Sequence, residues 1–366
     1  MSAPVIARVE RARIGGHWVT DAVVELSGTG MRLIPADEVP EDEVPEDEAP
    51  EGVRTRIRGA LLPPITDAHV HLGLTDAAQS ASTALGRVLD LGWAPDALPA
   101  LVEAAREAHP GLDVRVAGPL HTAVGGYPAR SGWAPPGAAA ELGGADDAAR
   151  SIRAQAAAGA SVVKVALNAE AGPAPDDALL EAIATEARAA GLPLVAHVQG
   201  RGQAERALAA GVDVLAHTPW THRLGDDVIR AAAASQTWIS TLAMHGRGGD
   251  DVAFARATDN LARFAAAGGT VAYGTDLGNG IGRFDLDPQE IAALRQAGIE
   301  GSALVDALLA EWLLPAGPTV GVVAADVHDD ESLIANLHRV THLHWHDLDR
   351  QDLDRHDLGR HDLEDA

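Results

Sequence analysis

The sequence contains no cysteine, one lysine, and only 3% aromatic residues across 366 positions. Without thiols there are no disulfides and no thiolate metal sites, so any bound metal is held by His, carboxylate or a modified side chain. Nowhere do about 18 apolar residues run together without charge or Gly/Pro breaks, so no spanning helix is expected. The N-terminus, MSAPVIARVERARIGG, lacks the apolar core of about 7 to 15 residues that a signal peptide needs. A cytoplasmic protein is the expectation.

Positive charge is also scarce, with 28 basic residues against 53 acidic ones and a formal net charge of −25. The acids cluster. Residues 36 to 52 (ADEVPEDEVPEDEAPEG) hold nine acids and no base, and residues 347 to 366 hold eight acids and three arginines. An acidic surface without a basic run repels phosphate backbones and anionic headgroups, which argues against nucleic acid or membrane as a partner. A small-molecule substrate is the expected partner, with a homo-oligomer left open. Neither acidic stretch has the composition to bury apolar surface, and both are read as disordered.

What remains is 46% hydrophobic and 22% charged, a composition that supports a large core. From Ile65 onward, eight short apolar runs (ITDAHVHL, GRVLDLGW, DVRVAGPL, ASVVKVAL, PLVAHV, VDVLAHT, TWISTLAM, TVAYGTDL) alternate with alanine-rich helical stretches that end in Gly. Continuous apolar strands alternating with helices imply a parallel sheet covered on both faces, and eight units imply a closed (β/α)8 barrel. A doubly wound open sheet is the alternative. The expected organisation has residues 1–62 as the N-terminal part of a small β-sandwich and 63–314 as the barrel. Residues 315–346 then complete the sandwich, and 347–366 form a low-complexity tail.

Side chains at the C-terminal strand ends of a barrel converge on one mouth. His69 and His71, two apart, share a face at the end of the first run. That spacing is weak evidence alone, since His342, His344 and His346 repeat it beside the tail. But His197 ends the fifth run, His217 the sixth and Asp276 the eighth, and together these five residues read as metal ligands. Lys164, the sole lysine, stands inside the apolar fourth run. A buried ammonium there has a depressed pKa. A neutral amine combines with carbon dioxide to a carbamate able to bridge two metals; a lysine ion-paired at the mouth is the other reading. Trp220, His222 and His245 follow strand ends and are candidate substrate contacts, as is Arg130 for a substrate carboxylate.

The segments DAHVHLGL (67–74), GASVVKVAL (159–167), GLPLVAHVQG (191–200), AGVDVLAHTPW (210–220) and GGTVAYGTD (268–276) resemble the amidohydrolase superfamily. Within it they resemble the binuclear carboxylated-lysine subtype, in the branch of prolidase-like and imidazolonepropionase-like hydrolases. The resemblance implies two divalent metals, most often zinc. His69, His71 and Asp276 would hold the more buried ion, His197 and His217 the more exposed one, and carboxylated Lys164 would bridge them. It implies hydrolysis of a C–N bond (amide, dipeptide, N-acyl amino acid or cyclic imide) by a metal-bridging hydroxide, with Asp276 as general acid and base. A mononuclear heterocycle deaminase and a non-catalytic metal-stabilised binding protein are the alternatives. The chain departs from the pattern in two places. Gly125-Gly126-Tyr127-Pro128, preceded by His121, stands where relatives have Gly-Gly-His, so the substrate-polarising histidine is absent or replaced in function by Tyr127 or His121, both candidate substrate contacts; and Val323–Val327 replaces a Gly-Lys-x-Ala-Asp-Leu strand.

Overall fold

A computed structural model describes residues 4–35, 55–280, 283–323 and 326–348. The acidic stretch 36–52 and the tail beyond residue 348 lie outside the described residues. Each of the eight apolar runs contains a strand: Thr66–Val70, Arg87–Asp90, Asp113–Val116, Val163–Asn168, Leu194–Gln199, Val214–Leu215, Thr237–Ile239 and Thr270–Ala272. The first to third of these pair in parallel with their neighbours, as do the fourth to eighth, and the ring closes where the Ala68 N–H donates to Tyr273 O at 3.0 Å and Val70 bridges Leu277. The barrel is closed, which removes the open-sheet alternative.

The third unit is broken. After Val116 the chain turns at Gly118, whose φ of +90° is left-handed, and resumes as Leu120–Ala123, the segment that pairs with Val163–Asn168. Gln155, buried on the helix Ala145–Ala157, donates to the carbonyls of Ala117 and Pro119 at 2.8 and 3.1 Å. It thereby satisfies acceptors that the interruption takes out of the ladder. The break also resets which residues face inward.

Alternation along the strands separates two cores. Val162, Val195, Val214, Ile239 and Ala272 fill the barrel interior, whereas Val163, Val165, Leu194 and Val198 face helices through Ile152 and Ile183. Along one inward face, Val195 is followed by His197 and then Gln199, so the apolar interior gives way to polar groups at the C-terminal mouth.

The flanks build one mixed six-stranded sheet, in the order Thr341–His344, Thr319–Val323, Thr55–Leu62, Val5–Ile14, His17–Ser27, Gly30–Ile34. Its strands turn Val9, Val24, Ile57, Val322 and Leu343 to a common core. Leu348 is buried in the same core, two residues past the boundary expected from sequence. The sheet is tied to the barrel side by Arg13, fully buried, which bonds Asp306 at 2.6 Å and Asp330 at 3.0 Å. Among the described residues no helix is long and apolar enough to cross a membrane.

Trp238 marks the tightest helix-to-barrel contact: it is fully buried and stacks on Phe264 of the helix Asp251–Ala266 with centroids 3.9 Å apart. Trp238→Ala is expected to lower unfolding stability by about 3–5 kcal/mol through lost transfer energy and the cavity left behind. Urea unfolding monitored by far-UV circular dichroism checks this, and an unchanged midpoint would contradict it.

Candidate metal centre

The first and last strands of the barrel are clamped by a carboxylate. Asp67 accepts from the backbone N–H groups of His69 (3.0 Å) and Thr275 (3.1 Å), and from the Thr275 hydroxyl at 2.6 Å. Burial pushes its pKa up to about 7, against the pull of these hydrogen bonds. Asp276 then follows at φ +59°, a left-handed conformation unusual outside glycine, and its N–H donates to His69 O at 2.9 Å. The clamp sets the two histidines of the first strand end against the carboxylate of the eighth.

Hydrogen bonding fixes which ring nitrogens are free. His69 Nδ1 lies 2.8 Å from Ala216 O and His71 Nδ1 3.1 Å from Gly92 O. A carbonyl only accepts, so both Nδ1 atoms carry the proton, and in the neutral rings both Nε2 atoms present lone pairs. Burial holds His69 well below the usual histidine pKa, so that ring is neutral. The two Nε2 atoms are 3.3 Å apart, and Asp276 Oδ1 lies 3.3 Å from one and 3.4 Å from the other. Three electron-pair donors thus converge in a buried space, and Asp276 Oδ1 has no hydrogen-bond donor. A cation relieves this repulsion, and nitrogen and oxygen donors of this kind suit zinc or a similar divalent ion. The residues fit a metal.

His197, His217 and Lys164 line the same cavity. The His217 ring lies 4.5 Å from that of His69 and 5.0 Å from that of His197. Its Nδ1 is hydrogen-bonded to Thr241 Oγ1 at 2.9 Å, which leaves Nε2 free. Burial lowers the His197 pKa to about 3 and that of His217 well below the usual value, so both rings are neutral and present a lone pair. Lys164 is 1% exposed and its Nζ has no hydrogen-bond partner. Burial lowers its pKa to about 7, while Asp276 and Asp90 pull the other way, so a large share of the amine is unprotonated at neutral pH.

The other sequence candidates divide. Tyr127 and Trp220 line the cavity, which measures about 190 Å³. Tyr127 stacks on His197 at 5.2 Å, and Trp220 sits edge-on to His197 and His217 at 5.7 and 5.6 Å. His245 packs behind Trp220, with ring centroids 5.0 Å apart. His121 does not reach the mouth. Lys164 pairs with Leu120, so Leu120 shares its inward face and His121 points outward. There it bonds Lys164 O at 3.0 Å and Ser151 Oγ at 2.9 Å. His222 is drawn off by Glu205, 3.1 Å away. Arg130 is exposed and does not line the cavity.

Sequence reasoning missed Trp133, Gln199, Met244 and Asn279, all of which line the cavity, and Asn168, whose Nδ2 lies 3.4 Å from His197 Nε2 and 2.8 Å from Gln199 Oε1. Gln199 carried a usable signal, being two residues beyond His197 on the same strand face. Asn279 donates to Asp276 Oδ2 at 2.9 Å from a loop, where no periodicity marks it.

A barrel whose strand ends bring together a His-x-His pair, two further histidines and an aspartate is the architecture of metal-dependent amidohydrolases. The chain belongs to the amidohydrolase family, whose model matches residues 40–297. Among solved structures it is similar to a Xaa-Pro dipeptidase with bound methionine (13% identity, TM-score 0.66, 91% of this chain and 96% of that one). It is also similar to A. niger ochratoxinase (16%, 0.68, 92% and 93%) and to molinate hydrolase (15%, 0.63, 100% of both chains). At these identities the likeness shows the fold. No curated protein matches the sequence.

Because the donors repel one another without a cation, metal binding and folding stability are linked. Chelation of the purified protein is expected to lower its melting temperature by a few degrees, with recovery on adding zinc. A His69→Ala/His71→Ala double variant should show little response. Scanning calorimetry checks this; a wild-type melting temperature indifferent to both chelator and zinc would contradict the metal reading.

Proposed function

We propose that the protein hydrolyses a C–N bond of a small acyl compound with two divalent metals, and that Lys164 is carboxylated and bridges them. The observation that carries this is the Lys164 amine. It is buried among four histidines and an aspartate, unpartnered, and depressed to about 7. An unprotonated amine attacks carbon dioxide, forms the N–C bond and loses a proton, giving a carbamate with two oxygens in place of an orphaned nitrogen. In this reading His69, His71 and Asp276 would hold one metal, and His197 and His217 the other. The ions would supply a Lewis acid and a water of lowered pKa.

The chain's own groups do the rest. Asp276 accepts the attacking water's proton and hands it to the leaving amine, one carboxylate serving as base and then acid. Asn279 holds its Oδ2, which leaves Oδ1 turned toward the histidines. Tyr127, standing where relatives carry a histidine, polarises the substrate carbonyl. Its hydroxyl lies 3.3 Å from Trp133 Nε1, whose N–H it accepts, so its own proton remains to be donated. Burial raises the Tyr127 pKa, which keeps that proton in place. The hydrolytic relatives named above and a phenylurea hydrolase of the same fold support the reaction class.

Lys164→Arg retains charge but forms no carbamate, and Lys164→Ala leaves a gap. Both are expected to lose roughly 1000-fold or more in kcat. Added acetate fits the gap left by alanine and bridges the ions, but it does not coexist with a guanidinium. Recovery of Lys164→Ala alone, measured by amine release, is therefore expected. Near-normal activity of Lys164→Arg would overturn the carbamate, and one ion per chain with ammonia release from heterocycles would favour a mononuclear deaminase.

A further inference from the structure

Only 3% of the chain is aromatic, yet Tyr127, Trp133 and Trp220 all line a single cavity of about 190 Å³. Each leans on a different part of the donor cluster. Trp133 lies 5.4 Å from the His71 ring, Tyr127 stacks on His197, and Trp220 touches His197 and His217. Trp93 stacks behind Trp133 at 6.3 Å, so that wall is two rings thick. Leu120 and Met244 complete the apolar lining, and the uncharged polar groups offered are Gln199 and Asn279.

Among the described residues no arginine lines the cavity, and the lysine that does is Lys164 at the bottom. Arg130 lies on the surface, with its guanidinium beside Gly125. Acid approaches the mouth instead: Gln199 donates to Glu170 at 2.9 Å, and the whole chain carries −25. With the substrate carbonyl at the histidine cluster, a carboxylate at the far end of the molecule meets aromatic faces and no arginine or lysine among the described lining residues, a costly burial. The volume also falls below the ~300 Å³ at which pockets for drug-sized ligands begin.

We propose that the substrate is a small uncharged amide, urea or carbamate bearing a flat or branched apolar group and no carboxylate, gripped by Tyr127, Trp133 and Trp220. This rests on the hydrolase reading above and narrows it: the free carboxylate of a dipeptide or N-acyl amino acid, remote from the histidine cluster, finds no arginine or lysine among the described lining residues. The substrate's apolar group takes the aromatic walls, and its carbonyl faces the histidine cluster.

The test uses the metal-loaded enzyme and three near-isosteric probes: N-benzoylglycinamide, N-benzoylglycine and N-benzoylethylenediamine, which are uncharged, anionic and cationic. Benzoate release gives kcat/KM, and quenching of tryptophan fluorescence gives affinity independently of turnover. The uncharged probe should lead by roughly 100-fold in kcat/KM and should bind most tightly. Trp220→Ala should erase most of that preference through KM, while Met244→Arg, which brings a cation into the cavity, should raise kcat/KM for the anionic probe by about tenfold. Preferential binding of the uncharged probe without any turnover would sink the hydrolase reading and leave this proposal standing. Equal or better binding of either charged probe, or no binding of any, would overturn it.

Discussion

Two imidazole lone pairs and a carboxylate oxygen held within 3.3 to 3.4 Å of one another repel, and the architecture around the mouth holds them there. The repulsion is sustained by bonds that point away from it. Ala216 O and Gly92 O take the Nδ1 protons, and Asp67 clamps the backbone that carries His69 to the backbone that precedes Asp276. Barrel closure is part of the same device, since His69 lies on the first strand and Asp276 follows the last, and they meet only when the ring is shut.

Burial does the electrostatic work on the other side of the cavity. A neutral histidine is a ligand and a charged one is not, and the apolar interior just below the mouth keeps His197 and His217 neutral well below pH 7. The same burial turns Lys164 from an ammonium toward an amine, making it reactive without a dedicated base. One environment thus keeps two histidines neutral and loosens the proton of the lysine proposed to carry the carbamate.

Much of this was legible in the sequence. The eight strands follow from apolar runs of fixed direction, and His69, His71, His197, His217 and Asp276 stand where each run meets a loop. Lys164 stood out as the one lysine left among arginines. His121, offered as a stand-in for the histidine of the family's loop, could not be placed from sequence, because nearness to a strand end does not determine facing. The break at Gly118 resets the two-residue alternation, and only pairing of Leu120 with Lys164 shows that His121 lies on the outer side. Trp133 and Asn279 reside in loops whose path is set by tertiary packing, so no local pattern announces them. The buried carboxylates Asp67 and Glu290 were likewise silent. Glu290 holds the Leu242 and Ala243 N–H groups at 2.9 and 2.7 Å, a role visible only once backbone donors have positions.

The central claim is that converging donors and a neutral lysine form a two-metal centre bridged by a carbamate. Anomalous diffraction from crystals grown with zinc, collected on both sides of the zinc absorption edge, tests it most directly. The account predicts two anomalous peaks per chain, one among His69, His71 and Asp276 and one at His197 and His217, with density for an added carboxylate group on Lys164. A single peak with an unmodified Lys164, or no peak among the first three residues, would contradict it.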